Sequence, residues 1–249
     1  MGKNIVIMNF SGVYEEEPFA RNPRFVHLDC SHLCGTDCYC DTDGATQIRR
    51  IIGPFPAAGI HFIDSGDYHY VTKFWTEKIT TPFSLVLLDH HTDMQPPILS
   101  GMLSCGDWVK DMIDDNPLLK HVYILGVPRK QADAIPASYA DKVLVVTDEQ
   151  LHGHSAGLKP LNLGDPLYIS IDKDVLDTGS ARTDWDQGIL TMTDLKRVLT
   201  LILRHEQVIG IDICGECPVT CSLFDPDGSL AIDDKANSEL LELFRRQGL

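Results

Sequence analysis

Positive charge is scarce in this chain. Lys and Arg number 21 against 36 Asp and Glu, a formal net charge of −15. A surface so poor in base has little to offer a phosphate backbone or an anionic lipid face, so no nucleic-acid or membrane partner is expected. The acidity suits a small cationic ligand or metal ions, and it serves solubility equally well. Long apolar runs are also missing. Nothing approaches a membrane span, and the opening MGKNIVIMNFSGVYEEEP is too short in apolar residues for a signal peptide, so a cytoplasmic location is expected. There is no Pro/Gly/Ser-rich linker, low-complexity tract or internal repeat to divide the chain, which implies one domain over residues 1–249. A hydrophobic content of 43% supports a sizeable core for it.

Cysteine is present, but not in a disulfide framework. Cys30, Cys34, Cys38, Cys40, Cys105, Cys214, Cys217 and Cys221 sit in a chain of 249 residues for which no signal peptide is expected, which favours thiols. The run CSHLCGTDCYC, Cys30 to Cys40, has no spacing that a zinc or iron–sulfur site requires. Buried or loop thiols are expected there, and their role stays open.

Short apolar runs bounded by turn residues alternate with segments of helical period. NIVIMNF, IHFID, SLVLLD, HVYILG, VLVVT, PLYISID and QVIGIDI are apolar nearly throughout, as strands covered on both faces are. Between them, HYVTKFWTEKI places Val71, Phe74, Trp75 and Ile79 at helical spacing. TMTDLKRVLTLILRH begins on Thr–Asp and stripes Leu195, Val198, Leu199 and Ile202, and KANSELLELFRRQG predicts a last helix ending in Arg245 and Arg246 before Gly248. The alternation predicts a three-layer α/β/α fold with a doubly wound, mostly parallel sheet.

In such a sheet ligands gather beyond the carboxyl ends of the strands. SLVLL ends in Asp89-His90-His91-Thr92-Asp93, LYISI in Asp172-Lys173-Asp174, and QVIGI in Asp212 followed by Glu216, while IHFID runs into Asp67 and His69. An extended exit alternates its side chains, so Asp89, His91 and Asp93 converge, as do Asp172 and Asp174, while His90 and Lys173 point elsewhere. His90 is read as a core histidine or one that supports a ligand from behind. Carboxylates gathered in a dry crevice need cations. The set is too large for one tetrahedral zinc; carboxylates with some imidazole suit two Mn²⁺ or similar ions, with a bridging hydroxide available for hydrolysis. Zn²⁺ or another divalent ion is the alternative cofactor. Cys105, just before the expected helix GDWVKDMI, is a candidate nucleophile if a helix start lowers its pKa.

DHHTD resembles the D-A-H-x-D motif, and SIDKDVLD the S-x-D-x-D-x-x-D motif, of the ureohydrolases: arginase, agmatinase, formimidoylglutamase and relatives. The resemblance runs over roughly residues 60 to 249 and implies an arginase-like fold with a binuclear manganese centre that cleaves a guanidinium or amidine C–N bond. It implies that Asp89 and Asp172 bridge the metals, that His91 and Asp174 bind one of them, and that Asp93 and His69 bind the other. His69 stands one residue further along than the family's G-G-D-H pattern, because Tyr68 intervenes. GIDICGECP resembles D-x-x-E-x-N-P, which implies Glu216 as the anchor of a cationic substrate. SGMLSCGDW resembles the S-G-x-L-H-G loop, but the family's histidine position falls on Ser104 or Cys105; Trp108, which ends that loop, is read as a further substrate contact.

The leading expectation is therefore a binuclear Mn²⁺ hydrolase of a guanidino, amidine or related amide, with Asp93 orienting the hydroxide or accepting its proton. The alternatives are a single-zinc deacetylase of the same fold and a metal-binding sensor or assembly subunit without catalysis. A homo-oligomer fits the resemblance.

Overall fold

Each apolar run becomes a strand of one sheet, and the alternation of side chains along the strands supplies a core on both sides. The structure, a computed structural model, describes residues 4–97, 101–153, 164–218 and 228–249. Eight parallel strands form the main sheet: β1 (Ile5–Asn9), β2 (Val26–Asp29), β4 (Ile60–Phe62), β5 (Phe83–Leu88), β7 (Leu119–Val127), β8 (Val143–Thr147), β9 (Leu167–Asp172) and β10 (Val208–Cys214). Their order across the sheet is β2-β1-β4-β10-β9-β5-β7-β8. Two short segments, β3 (Tyr39–Cys40) and β6 (Leu103–Ser104), pair separately as an antiparallel ribbon. The expected doubly wound parallel sheet is present.

In β5, Leu85 and Leu87 enter one core cluster and Val86 and Leu88 the other. The first face is covered by the helices Thr42–Ile52, Val71–Thr76 and Trp108–Asp115, through Ile48, Phe74, Trp75, Trp108 and Met112. The second is covered by Met192–His205 and Ser229–Arg246, through Leu195, Val198, Leu199, Leu240 and Phe244. Thr191 caps the former, its hydroxyl accepting from Asp194 N while the Asp194 carboxylate accepts from Thr191 N. The helix expected over HYVTKFWTEKI is shorter than its pattern, ending at Thr76, although Ile79 is still buried. The last helix starts earlier than expected, at Ser229. Among the described residues no helix is long and apolar enough to cross a membrane.

The order matters for the site. β4, β10, β9 and β5 are consecutive neighbours in the middle of the sheet. Their carboxyl ends therefore open side by side, and these are the strand ends that carry acid and imidazole.

Candidate metal centre

The β5 exit is held by its own backbone. Asp89 N continues the ladder to Leu125 O at 3.1 Å, after which the chain turns so that His91 N donates to Asp89 Oδ1 at 2.5 Å. Asp93 has φ +50°, a left-handed conformation that Asp tolerates better than most residues. Two contacts hold it there: its carbonyl accepts from Val109 N at the start of the helix Trp108–Asp115, and Trp108 Nε1 donates to Asp93 Oδ2 at 2.6 Å. At the neighbouring exit, Asp174 N donates to Asp172 Oδ1 at 2.9 Å, and His90 N donates to Asp174 Oδ1 at 2.9 Å, which ties the two exits together. Gly215, at φ +88°, lies flat against this group: a β-carbon there would sit 2.4 Å from Asp172 Oδ1. After β4, residues Gly66–Tyr68 form a single 3-10 turn that takes up the extra residue Tyr68, and His69 arrives beside the carboxylates.

A pocket of about 200 Å³ opens onto these groups, lined by His69, Asp89, His91, Asp93, Asp172 and Asp174. His69 Nδ1 is 3.2 Å from Asp89 Oδ2, 3.1 Å from Asp93 Oδ2 and 3.5 Å from Asp172 Oδ2. His91 Nδ1 is 2.8 Å from Asp174 Oδ2 and 3.6 Å from Asp89 Oδ1. Donor atoms of His69, Asp89 and Asp93 lie within 4.8 Å of one another, and so do those of Asp89, His91 and Asp174, with Asp89 common to both groups. Four buried carboxylates thus face two imidazoles, and no Lys or Arg is among the described residues lining the pocket. One ring nitrogen facing three acids cannot satisfy them with a single N–H. The donor set fits two divalent cations.

The protonation chemistry of the cluster points the same way. Burial, aided by the charge of Asp89, raises Asp93 to about 7. Burial followed by the charges of Asp172 and Asp89 raises Asp174 well above the carboxylate range. Burial would lower His91, but hydrogen bonds and charge from Asp174 and Asp89 push it up to about 11. Burial leads for the two acids and neighbouring negative charge adds to it, whereas for His91 the contacts with acids outweigh burial.

Ser170, the serine of SIDKDVLD, has a visible task. Its hydroxyl meets His69 Nε2 at 2.9 Å and Thr72 Oγ1 at 3.1 Å, and donates to Asp212 Oδ1. With Nε2 so engaged, Nδ1 is the nitrogen turned to the acids. Cys214, which the motif reading passed over, donates to Asp172 Oδ2 at 3.2 Å. Its only sequence signal is its place two residues beyond Asp212, on the same side of an extended strand end.

Other expected residues land elsewhere. Glu216 does not face the pocket: it is fully buried, Lys173 Nζ pairs with its Oε2, and Asn237 Nδ2 donates to its Oε1 at 2.9 Å. Both of its oxygens are engaged inside the fold, away from the pocket lining. Trp108 is fully buried and outside the pocket lining, bound to Asp93 rather than to anything in the cavity. Ser104 and Cys105 do line the pocket, yet the Cys105 thiol is shifted up and not down, first by its contact with Cys38 and then by burial. The helix begins at Trp108, too far along for its N-terminus to activate that sulfur. The His90 ring is not among the pocket-lining side chains; its backbone N–H is what touches the site. Every described cysteine is a free thiol, with Cys30 and Cys40 buried in the core and Cys34 exposed; Cys221 lies outside the described residues.

Residues 58–220 match the model of the arginase family. An uncharacterized protein of Thermotoga maritima is 30% identical over 217 residues, 86% of this chain and 80% of that protein. Among solved structures, proclavaminate amidino hydrolase from Streptomyces clavuligerus superposes with a TM-score of 0.70 at 18% identity, covering 99% of this chain and 93% of that one. A triple mutant of the T. brucei arginase-like protein, bound with Mn²⁺, gives a TM-score of 0.60 at 16% identity over 86% of this chain and 81% of its own.

Proposed function

The chain belongs to the arginase family, and on that premise we propose that it is a binuclear manganese hydrolase that cleaves a C–N bond of a small guanidino, amidine or related amide molecule. The observation that carries this reading is the pair of donor groups sharing Asp89 in a pocket lined with acid and imidazole and, among the described residues, without Lys or Arg. His69, Asp89 and Asp93 would hold one ion and Asp89, His91 and Asp174 the other, with Asp172 reaching toward both. Bound there, the ions supply Lewis acidity and a nucleophile at neutral pH.

The remaining work falls to the chain's own residues. Trp108 fixes one oxygen of Asp93, and the Asp93 carboxylate, on the pocket wall, is the group placed to orient the attacking water or take its proton. Ser170 holds the His69 ring in register. The described residues lining the pocket include no Lys or Arg to pair with an anionic substrate, and a carboxylate there can accept paired hydrogen bonds from a guanidinium or amidinium. Ser104 and Cys105 stand where the resemblance puts a histidine, and neither has an imidazole's neutral pKa for proton shuttling. That feature favours one second reading, a member of the family that binds metal without turnover.

The two readings separate in one experiment. The protein, loaded with Mn²⁺ and analysed for metal, is screened for urea or ammonia release from arginine, agmatine, guanidinobutyrate, guanidine and formimidoylglutamate. We expect close to two Mn per chain and turnover of at least one substrate. One bound Zn in place of two Mn would sink the binuclear reading, and full metal with silence across the panel would favour the non-catalytic one.

A further inference from the structure

At the mouth of the pocket stands a group of different chemistry. Pairing of Tyr39 with Ser104 and of Cys40 with Leu103 puts Cys38 opposite Cys105 at the end of the β3–β6 ribbon, and Cys105 N donates to the Cys38 carbonyl at 3.0 Å. The two Sγ atoms are 3.4 Å apart. Cys38 adopts φ +57°, a left-handed conformation that a residue with a β-carbon holds only when its surroundings compel it. Asp67 completes the group: one donor atom from each of Cys38, Cys105 and Asp67 lies within 4.8 Å of the others. Trp185 Nε1 donates to Asp67 Oδ1 at 3.1 Å and fixes that carboxylate. Further acids stand around the three: Asp37 and Asp184 near Cys38 and Asp67, and Asp93 near Cys105.

We propose that Cys38, Cys105 and Asp67 form a binding site for a thiophilic divalent cation of the Zn²⁺ type, separate from the oxygen and nitrogen centre beside it. Two thiolates and a carboxylate select zinc-like ions, whereas the neighbouring donors suit Mn²⁺. Tetrahedral Zn–S bonds of about 2.3 Å place the sulfurs about 3.8 Å apart, so the present spacing need open by only a few tenths of an ångström. Binding displaces the two thiol protons to solvent and leaves the sulfurs unoxidised. Three protein donors leave a tetrahedral ion one position for water or a pocket ligand. The ion clips the cysteine-rich segment from Cys30 to Cys40 onto the loop that carries Ser104 and Cys105, and so fixes one wall of the pocket.

The test uses reduced, full-length protein first saturated with Mn²⁺ and then titrated with Co²⁺ in the absence of oxygen. We expect a near-ultraviolet thiolate-to-cobalt charge-transfer band that saturates at one equivalent and is abolished by one equivalent of Zn²⁺. A band from Co²⁺ at His69, Asp172 and Cys214, whose donor atoms also lie within 4.8 Å of one another, is excluded by survival of the band in Cys214→Ser. Cys38→Ser and Cys105→Ser should each remove it, Cys214→Ser should keep it, and Asp67→Asn, which spares both thiols, should weaken Co²⁺ binding about tenfold or more. Circular dichroism and Mn content at wild-type level establish that the serine variants are folded; should they fail to fold, the Asp67→Asn titration decides. Absence of the band in the wild-type protein overturns the proposal, as does a band that survives Cys38→Ser or is unchanged by Asp67→Asn. A Cys38–Cys105 disulfide in the isolated protein that, once reduced, leaves thiols unable to bind Co²⁺ overturns it too.

Discussion

Two buried groups of acids meet at the β9 exit, one on each side of the segment Asp172-Lys173-Asp174. Asp172 and Asp174 enter the pocket with Asp89 and Asp93, where the only basic partners among the described residues are His69 and His91. Lys173 goes the other way and is fully buried, with Nζ against Glu216 and 3.5 Å from Asp233 Oδ1. Asn237 closes that second group, donating to Glu216 Oε1 and to Glu17 Oε2 at 2.8 Å. Burial raises Asp233 to about 7 and Glu17 to about 10, the latter helped by the charge of Glu216. Burial would lower Lys173, but Asp233, Glu216 and Glu17 hold it above its ordinary value. Negative charge is thus neutralised on one side by a cation built into the chain, and on the other the donors are set out for cations from solution. What the difference teaches is that three consecutive residues, passing from the end of β9 into the 3-10 turn Lys173–Val175, separate an acid cluster with its own lysine from one without.

The sharpest way to break the comparison is to remove one acid from the pocket. Asp172→Asn should lower metal affinity by about 100-fold or more and take any activity below detection, with folding intact by circular dichroism; retained Mn by elemental analysis would refute the role of Asp172. On the other side, Lys173→Met strands Glu216 and Asp233, so unfolding in urea should show a loss of about 3–5 kcal/mol, and Tm should fall by roughly 10 °C. A loss within error would mean that the lysine is not the internal counter-ion.

Two smaller effects refine the contrast. Ser170→Ala frees the His69 ring to rotate and should weaken Mn²⁺ binding about 10–100-fold while leaving Tm nearly unchanged. For Glu17 the sign follows from its raised pKa. The folded protein keeps a proton up to about pH 10 that the unfolded chain releases near 4.5, so stability falls as pH rises between those values. Glu17→Gln should flatten that decline, and urea unfolding at pH 5.5 and 8.5 reads the difference; parallel slopes in the two proteins would dispose of the assignment.

Much of this was legible in the residues. All seven apolar runs are strands, because burial on both faces leaves a continuous signal. The ligand candidates meet although neither exit stays extended: Asp93 takes φ +50° and Lys173–Val175 is a single 3-10 turn, so alternation picks out these residues without describing the geometry that joins them. β2 was not foreseen: as an edge strand its burial is only partial, and RFVHLDC has no apolar run to mark it. The fate of Glu216 was hidden for a different reason. Its motif resemblance is local, whereas what engages it, Lys173 and Asn237, comes from other elements, and no local pattern announces a buried lysine. Trp108 likewise looks like a pocket aromatic until its indole N–H is seen on Asp93. The contact of Cys38 with Cys105 spans 67 residues and rests on a ribbon of two short strands, each too brief to be read from period.

The bond from His90 N to Asp174 Oδ1 deserves one more step. Because it joins the exits of two adjacent central strands, the acids and imidazoles on that side form one rigid body anchored in the sheet. The opposite wall is of another kind: Cys38, Tyr39, Ser104, Cys105 and Trp185 stand on a short ribbon and loops. A ligand in the cavity thus lies between a wall set by the central sheet and a wall set by a ribbon and loops.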